Sequence, residues 1–211
     1  MLDSGFYNMD CMDGMKEFPD KFFDLAIVDP PYGLNIARLN MGAGKSPRCS
    51  KIQNRQWEKE DWDKAPDDEY FTELSRVSNK RIIWGGNYFN LPPCKCFLIW
   101  DKGGGMYGRS FAECEMAWSD LNDKARIFKY NPIDKERFHP TQKPIALYTW
   151  ILNLYAKQGY KILDTHVGSA SSLIACYRAG LEYWGFETHK GYYQKATERL
   201  ETEKAQMRMT F

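Results

Sequence analysis

Phe22 to Val28 reads FFDLAIV, apolar at every position but Asp24, and it stops at Asp29-Pro30-Pro31. A strand with one wet face alternates apolar and polar residues, so a run this continuous needs cover on both faces. A parallel sheet layered between helices provides that cover. The C-terminal third follows the same logic. A helix is expected from Pro144 to Lys157, a strand from Tyr160 to Leu163, and a helix from Ser169 to Ala179 closed by Gly180. A strand from Tyr183 to Phe186 and a last helix from Tyr192 to about Ala205 complete it. Proline in a first helical turn and glycine after a last one are the expected punctuation. Strands alternating with helices in this way predict an α/β fold, a doubly wound, mainly parallel sheet with helices on both faces.

Elsewhere, Gly5 to Asn8 reads as a short strand and Met12 to Phe18 as a short helix ended by Pro19. Asp67 to Ser78 reads as a helix with Tyr70, Phe71, Leu74 and Val77 on one face. Further strands are expected at Arg81–Trp84, Cys96–Trp100, Cys114–Trp118 and Ala125–Lys129. Leu34 to Glu60 has no period and contains Gly42, Gly44 and Pro47. Its Arg38, Lys45, Arg48, Lys51, Arg55 and Lys59 are balanced only by Glu58 and Glu60. Loops this long are usually functional or disordered. The whole chain carries a net charge of only +1, so any grip on a polyanion must come from a local excess of cations such as this one.

Composition bounds the class. The 211 residues suit one domain, 1–211, and 43% apolar with 27% charged residues is the balance of an ordinary globular protein. No apolar run approaches the roughly 20 residues of a membrane span. The start, MLDSGFYNMD, lacks the basic and then apolar pattern of a secretion signal, so a cytoplasmic location is expected. Six cysteines without a CxxC pair and three scattered histidines make no zinc pattern, and no metal is expected. Gly44-Lys45-Ser46 fails as a phosphate loop, because Leu39 stands where the first glycine is needed and no strand precedes it.

Two strand ends carry the chemical signal. Asp29-Pro30-Pro31-Tyr32-Gly33 follows the apolar strand, at the edge where sheets of this type bind ligands. Ile162 to Ala170, ILDTHVGSA, reads as strand, turn and helix. Gly168 lets the backbone approach a ligand closely, and the helix start offers free N–H groups. The next strand ends Trp184-Gly185-Phe186-Glu187, a carboxylate 23 residues after Asp164, near where an acid that bonds ribose hydroxyls stands.

With Asn8-Met9-Asp10-Cys11 and His139-Pro140-Thr141-Gln142-Lys143-Pro144, these motifs resemble the amino-methyltransferases of DNA. The likeness is to the permuted group, in which DPPY precedes the cofactor turn of a Rossmann-like methyltransferase fold. It spans nearly the whole chain, and the compact arrangement is similar to enzymes carried by phages and prophages. The resemblance implies S-adenosylmethionine as cofactor and double-stranded DNA as partner, with methyl transfer to adenine N6 in preference to cytosine N4.

It also implies roles. Asp29, Pro30, Pro31 and Tyr32 would be catalytic. The lone pair of a base amine is delocalised into the ring, and a carboxylate and a carbonyl accepting its two N–H bonds would turn that pair toward the methyl donor. Tyr32 would offer a face for an extruded base. Asp10 and Cys11 would meet the cofactor's adenine, Gln142 and Lys143 its methionine end, and Glu187 its ribose. Asp164, His166, Gly168 and Ser169 would form the cofactor turn. Arg38, Lys45, Arg48, Lys51 and Arg55 would bind DNA. The stretch between Trp100-Asp101-Lys102 and HPTQKP is short for a target-recognition domain, so Arg109, Arg126 and Lys129, or the second subunit of a homodimer, would assist.

The turn departs from the family's Asp-Pro-Phe-x-Gly-Ser-Gly at Thr165, His166 and Ala170. Ala170 would be strained if that position needs a left-handed backbone, and harmless if it already lies in the helix. Cytosine-N4 methylation and a catalytically silent DNA-binding protein of the same fold are the alternative readings. Methylation of protein glutamine is disfavoured, because those enzymes typically begin the tetrapeptide with Asn rather than Asp.

Overall fold

The computed structural model describes residues 1–34, 64–108, 112–131 and 137–208. In chain order the elements are β1 (Gly5–Tyr7), α1 (Cys11–Lys16), β2 (Phe23–Val28), α2 (Asp68–Val77) and β3 (Ser78–Trp84). Then follow β4 (Cys96–Asp101), β5 (Cys114–Ser119), β6 (Arg126–Lys129), α3 (Ile145–Tyr155), β7 (Lys161–Asp164), α4 (Ser171–Arg178), β8 (Glu182–Phe186) and α5 (Lys190–Arg208). The basic residues Arg38, Lys45, Arg48, Lys51 and Arg55, and Arg109 as well, lie outside the described residues.

The apolar run does become a strand buried on both faces. Among the described residues β2 sits inside an eight-stranded sheet of order β1-β8-β7-β2-β3-β5-β4-β6. Its Leu25 and Ile27 belong to one core with residues of α3, α4 and α5, among them Ile151, Ile174 and Leu200. Ala26 and Val28 belong to the opposite core with Met15 of α1 and Tyr70, Leu74 and Val77 of α2. Helices therefore cover both faces, as the sequence pattern demands. Among the described strands only β5 runs against the rest, antiparallel to both β3 and β4. No helix among the described residues is long and apolar enough to cross a membrane.

β2 pairs in parallel with β7, Leu25 opposite Ile162 and Ala26 opposite Leu163, and with β3 on its other side. From β7 the chain passes through α4 to β8, while the strand after β2 lies in the other direction. The sheet thus reverses its winding between β2 and β7, which is where open α/β sheets form a ligand crevice.

Helix starts differ from the expected ones in one informative place. α4 begins at Ser171, not Ser169, because Ala170 precedes it in a left-handed conformation, φ 61° and ψ 19°.

Candidate active site

Asp29 and the turn after Asp164 leave neighbouring parallel strands side by side, and one cavity opens over them. Asp29, Pro30, Pro31 and Tyr32 line it from β2, and His166, Gly168 and Ser169 from β7. Asp10, Cys11, Gln142, Lys143 and Glu187 complete it. The expected catalytic and cofactor residues therefore share one cavity, with Asp164 excepted. That residue lies beneath the turn, 2% exposed, and does not line the cavity. Its carboxylate accepts from Ser172 Oγ and, at 3.0 Å, from the His166 N–H. Burial pushes the Asp164 carboxyl up to about 7. Its part in the site is to pin the turn.

The turn needs its glycine. Gly168 has φ 55°, and a Cβ there would lie 3.3 Å from the His139 ring. The Gly168 N–H donates to Glu187 Oε2 at 2.9 Å, and the His189 N–H donates to Oε1 at 2.8 Å. Burial raises the Glu187 carboxyl above its ordinary range. Backbone donors of Gly168, His189 and Thr188 act on it, against about four lone-pair sites on a carboxylate, which leaves acceptor capacity for a ligand hydroxyl. Where the family turn has Pro-Phe, Thr165 Oγ1 is 2.7 Å from the Tyr70 hydroxyl and 3.0 Å from His166 Nδ1. Burial lowers His166 to about 4 and His139 to about 3, so both imidazoles are neutral near pH 7.

Asp10 caps α1, accepting from the Met12 N–H at 2.7 Å, which sets Asp10 and Cys11 at the cavity edge. Tyr32 stacks on Tyr88, ring centroids 5.0 Å apart at 21°, and Gly85 has no space for a Cβ against it. The Tyr32 hydroxyl donates to Asp29 Oδ1 at 2.7 Å. Lys143 was expected near the cofactor; it lines the cavity, but its ammonium is engaged by Asp29 Oδ2 at 2.5 Å and Glu115 Oε2 at 3.1 Å. Burial raises the Asp29 carboxyl despite the pull of Lys143, with Glu115 adding to the rise. Burial alone would lower the Lys143 ammonium, yet Asp29 and Glu115 hold it above its usual value.

Glu115 is the residue that sequence reasoning missed. It lies within a plain strand, with no motif around it to single it out. Of the remaining cations, Arg126 is paired with Asp123 at 2.9 Å and Lys129 lies 5.8 Å from the Tyr107 ring centroid. Neither lines the cavity.

A family model described as DNA methylase, of the N6/N4 type, matches residues 83–198, more than half of the chain. The chain belongs to that family. The type II methyltransferase M2.DpnII of Streptococcus pneumoniae is 40% identical over 65 residues, 31% of this chain and 24% of that relative. The match thus spans about a quarter of the relative's length. Among solved structures, the M1.HpyAVI–SAM complex superposes with a TM-score of 0.60 at 18% identity, covering 92% of this chain and 98% of that one. The PvuII DNA methyltransferase, described as cytosine-N4-specific, also reaches 0.60, at 10% identity and over 97% and 91% of the two chains. At such identities the likeness is one of fold. The methylase fold here is the doubly wound, Rossmann-like sheet with DPPY ahead of the turn that follows Asp164.

Proposed function

We propose that this DNA methylase transfers a methyl group from S-adenosylmethionine to the N6 amine of adenine in duplex DNA. One observation carries the reading: the Asp29 carboxylate and the Gly168–Glu187 turn line the same cavity, at the ends of adjacent strands where the sheet reverses. The cavity suits the cofactor's charge. Among its described lining residues Asp10, Asp29 and Glu187 are acids, His139 and His166 are neutral, and besides His189 the basic residues are Lys64 and Lys143. Glu187, Gly168 and Ser169 would hold the nucleoside, with Asp10 and Cys11 beside it.

When bound, S-adenosylmethionine would supply an electrophilic methyl on a sulfonium, with a neutral thioether as the leaving group. The chain's own task is positioning and charge. Asp29 accepts one amine N–H, the Pro30 carbonyl the other, and the lone pair is turned into the cavity. The amine proton passes to Asp29 after transfer and then to solvent. The pinned Tyr32–Tyr88 stack walls the base side.

Duplex DNA incubated with labelled S-adenosylmethionine, then digested and analysed by mass spectrometry, should yield N6-methyldeoxyadenosine. N4-methyldeoxycytidine instead would reassign the base, and no methylated nucleoside would sink the reading. Asp29→Ala should abolish transfer, with cofactor Kd within about tenfold, or about 1.4 kcal/mol, of the parent. Activity above a few per cent in that variant would remove Asp29 from the chemistry.

A further inference from the structure

Four charged side chains form a line into the cavity. Lys102 Nζ lies 2.8 Å from Glu115 Oε1, Glu115 Oε2 lies 3.1 Å from Lys143 Nζ, and Lys143 Nζ lies 2.5 Å from Asp29 Oδ2. They come from separate parts of the chain. Lys102 follows β4, Glu115 is in β5 opposite Trp100, Lys143 precedes α3, and Asp29 follows β2. The Lys143 side chain is 2% exposed, so this is no surface coincidence. Its ammonium also lies 5.3 Å from the centroid of the Trp84 ring and 5.7 Å from that of Tyr32.

The two carboxylates share one ammonium on unequal terms. Glu115 has a second lysine, and although burial opposes it, Lys143 and Lys102 pull it down to about 2. Among the described residues Asp29 has Lys143 and the Tyr32 hydroxyl, and burial leaves it the more basic of the two. Environments that drive neighbouring acids apart separate a fixed charge from a proton acceptor. We propose that Glu115 is a positioning residue for methyl transfer: anchored by Lys102, it shares the Lys143 ammonium with Asp29 and so leaves the Asp29 carboxylate basic enough to take the amine's proton. This rests on Asp29 being the amine's partner. The other groups facing Asp29 are Tyr32, Tyr148 of α3, Tyr70 of α2 and Asp164 of β7. Burial holds the three tyrosines protonated and pushes Asp164 up to about 7, so among the described residues Lys143 and Glu115 are the main charges acting on Asp29.

The test is a carbon-13 NMR titration of the Asp29 carboxyl in the full chain, its resonance assigned by loss in Asp29→Asn. Glu115→Gln should lower the midpoint by about one pH unit or more, because Lys143 then serves Asp29 alone. Lys143→Gln should raise it by a similar amount. The acid limb of kcat/KM should move with each midpoint, and the Glu115→Gln plateau should fall several-fold while cofactor Kd stays within about twofold. A role in folding alone would lower the plateau without moving the limb. Should Lys143→Gln fail to fold, Glu115→Gln with Lys143→Gln removes one charge of each sign and should keep the midpoint near the parent's. An unmoved or raised midpoint in Glu115→Gln overturns the role of Glu115, even with an active parent. A parent chain without methyl transfer overturns the reading of the site instead.

Discussion

Ala170 concentrates the difference between this cavity and the family turn. It is fully buried, and its N–H donates to the Val167 carbonyl at 3.1 Å while its own carbonyl accepts from Ile174 at 2.9 Å. Those bonds impose φ 61°, where a side chain costs about 1–2 kcal/mol more than glycine. The methyl recovers roughly 0.8 kcal/mol through burial. The two effects nearly cancel, which is how alanine persists at a glycine position. Ala170→Gly should therefore melt within about 2–4 °C of the parent, the equivalent of 1 kcal/mol for a chain this size. Ala170→Val meets the same backbone with a branched side chain in filled space, and overpacking alone costs about 1–3 kcal/mol. Its melting point should fall by several degrees, and equal melting of the two variants would refute the strain.

α1 shows how a short element is held where the cavity needs it. Its six residues are too few for a stable helix alone, so packing must fix it. A Cβ at Gly14 would lie 2.5 Å from the ring of Phe186, itself fully buried in β8. Gly14→Ala should cost about 1–3 kcal/mol by overpacking, of which helix propensity returns at most about 1. Lifting α1 off β8 also moves Asp10 and Cys11, so calorimetric cofactor affinity should drop several-fold together with the melting point. A variant that melts no lower and binds as tightly would show that α1 has room. Elements were legible from sequence to within about three residues: the run to Val28 announces a strand buried on both faces, and Gly180, at φ 66°, closes α4, whereas α3 ends at Tyr155, short of Gly159. The place of β5 was not legible. Its local pattern says strand but cannot say that it inserts antiparallel between β3 and β4. Glu115 reaches Lys143 only through that pairing, so the charge line was hidden until strands distant in sequence were in register. The end of Ala170's turn was equally hidden, because a left-handed residue and a first helical residue look the same in one dimension.

At the scale of the whole molecule, the unanswered need is a grip on DNA. A net charge of +1 gives no global attraction, and Lys102 and Lys143 are spent on Glu115 and Asp29. Tyr32 and Lys64, near the two ends of the undescribed stretch, both line the cavity. That stretch carries the six cations from Arg38 to Lys59 against Glu58 and Glu60, although these residues lie outside the described ones. Charge and tether together make it the expected DNA contact. Each phosphate neutralised releases counterions, and log affinity falls with log salt by about 0.9 per contact. Replacing Arg48, Lys51 and Arg55 with glutamine should reduce that slope by roughly one to three, since each removed contact subtracts about 0.9. Cofactor affinity should be unchanged, because the three cations are expected on phosphates and not on the cofactor. Fluorescence anisotropy with a labelled duplex across a salt series measures the slope directly. An identical slope before and after the triple replacement would place the DNA elsewhere, with Arg109, Arg126 and Lys129 as the next cations to replace.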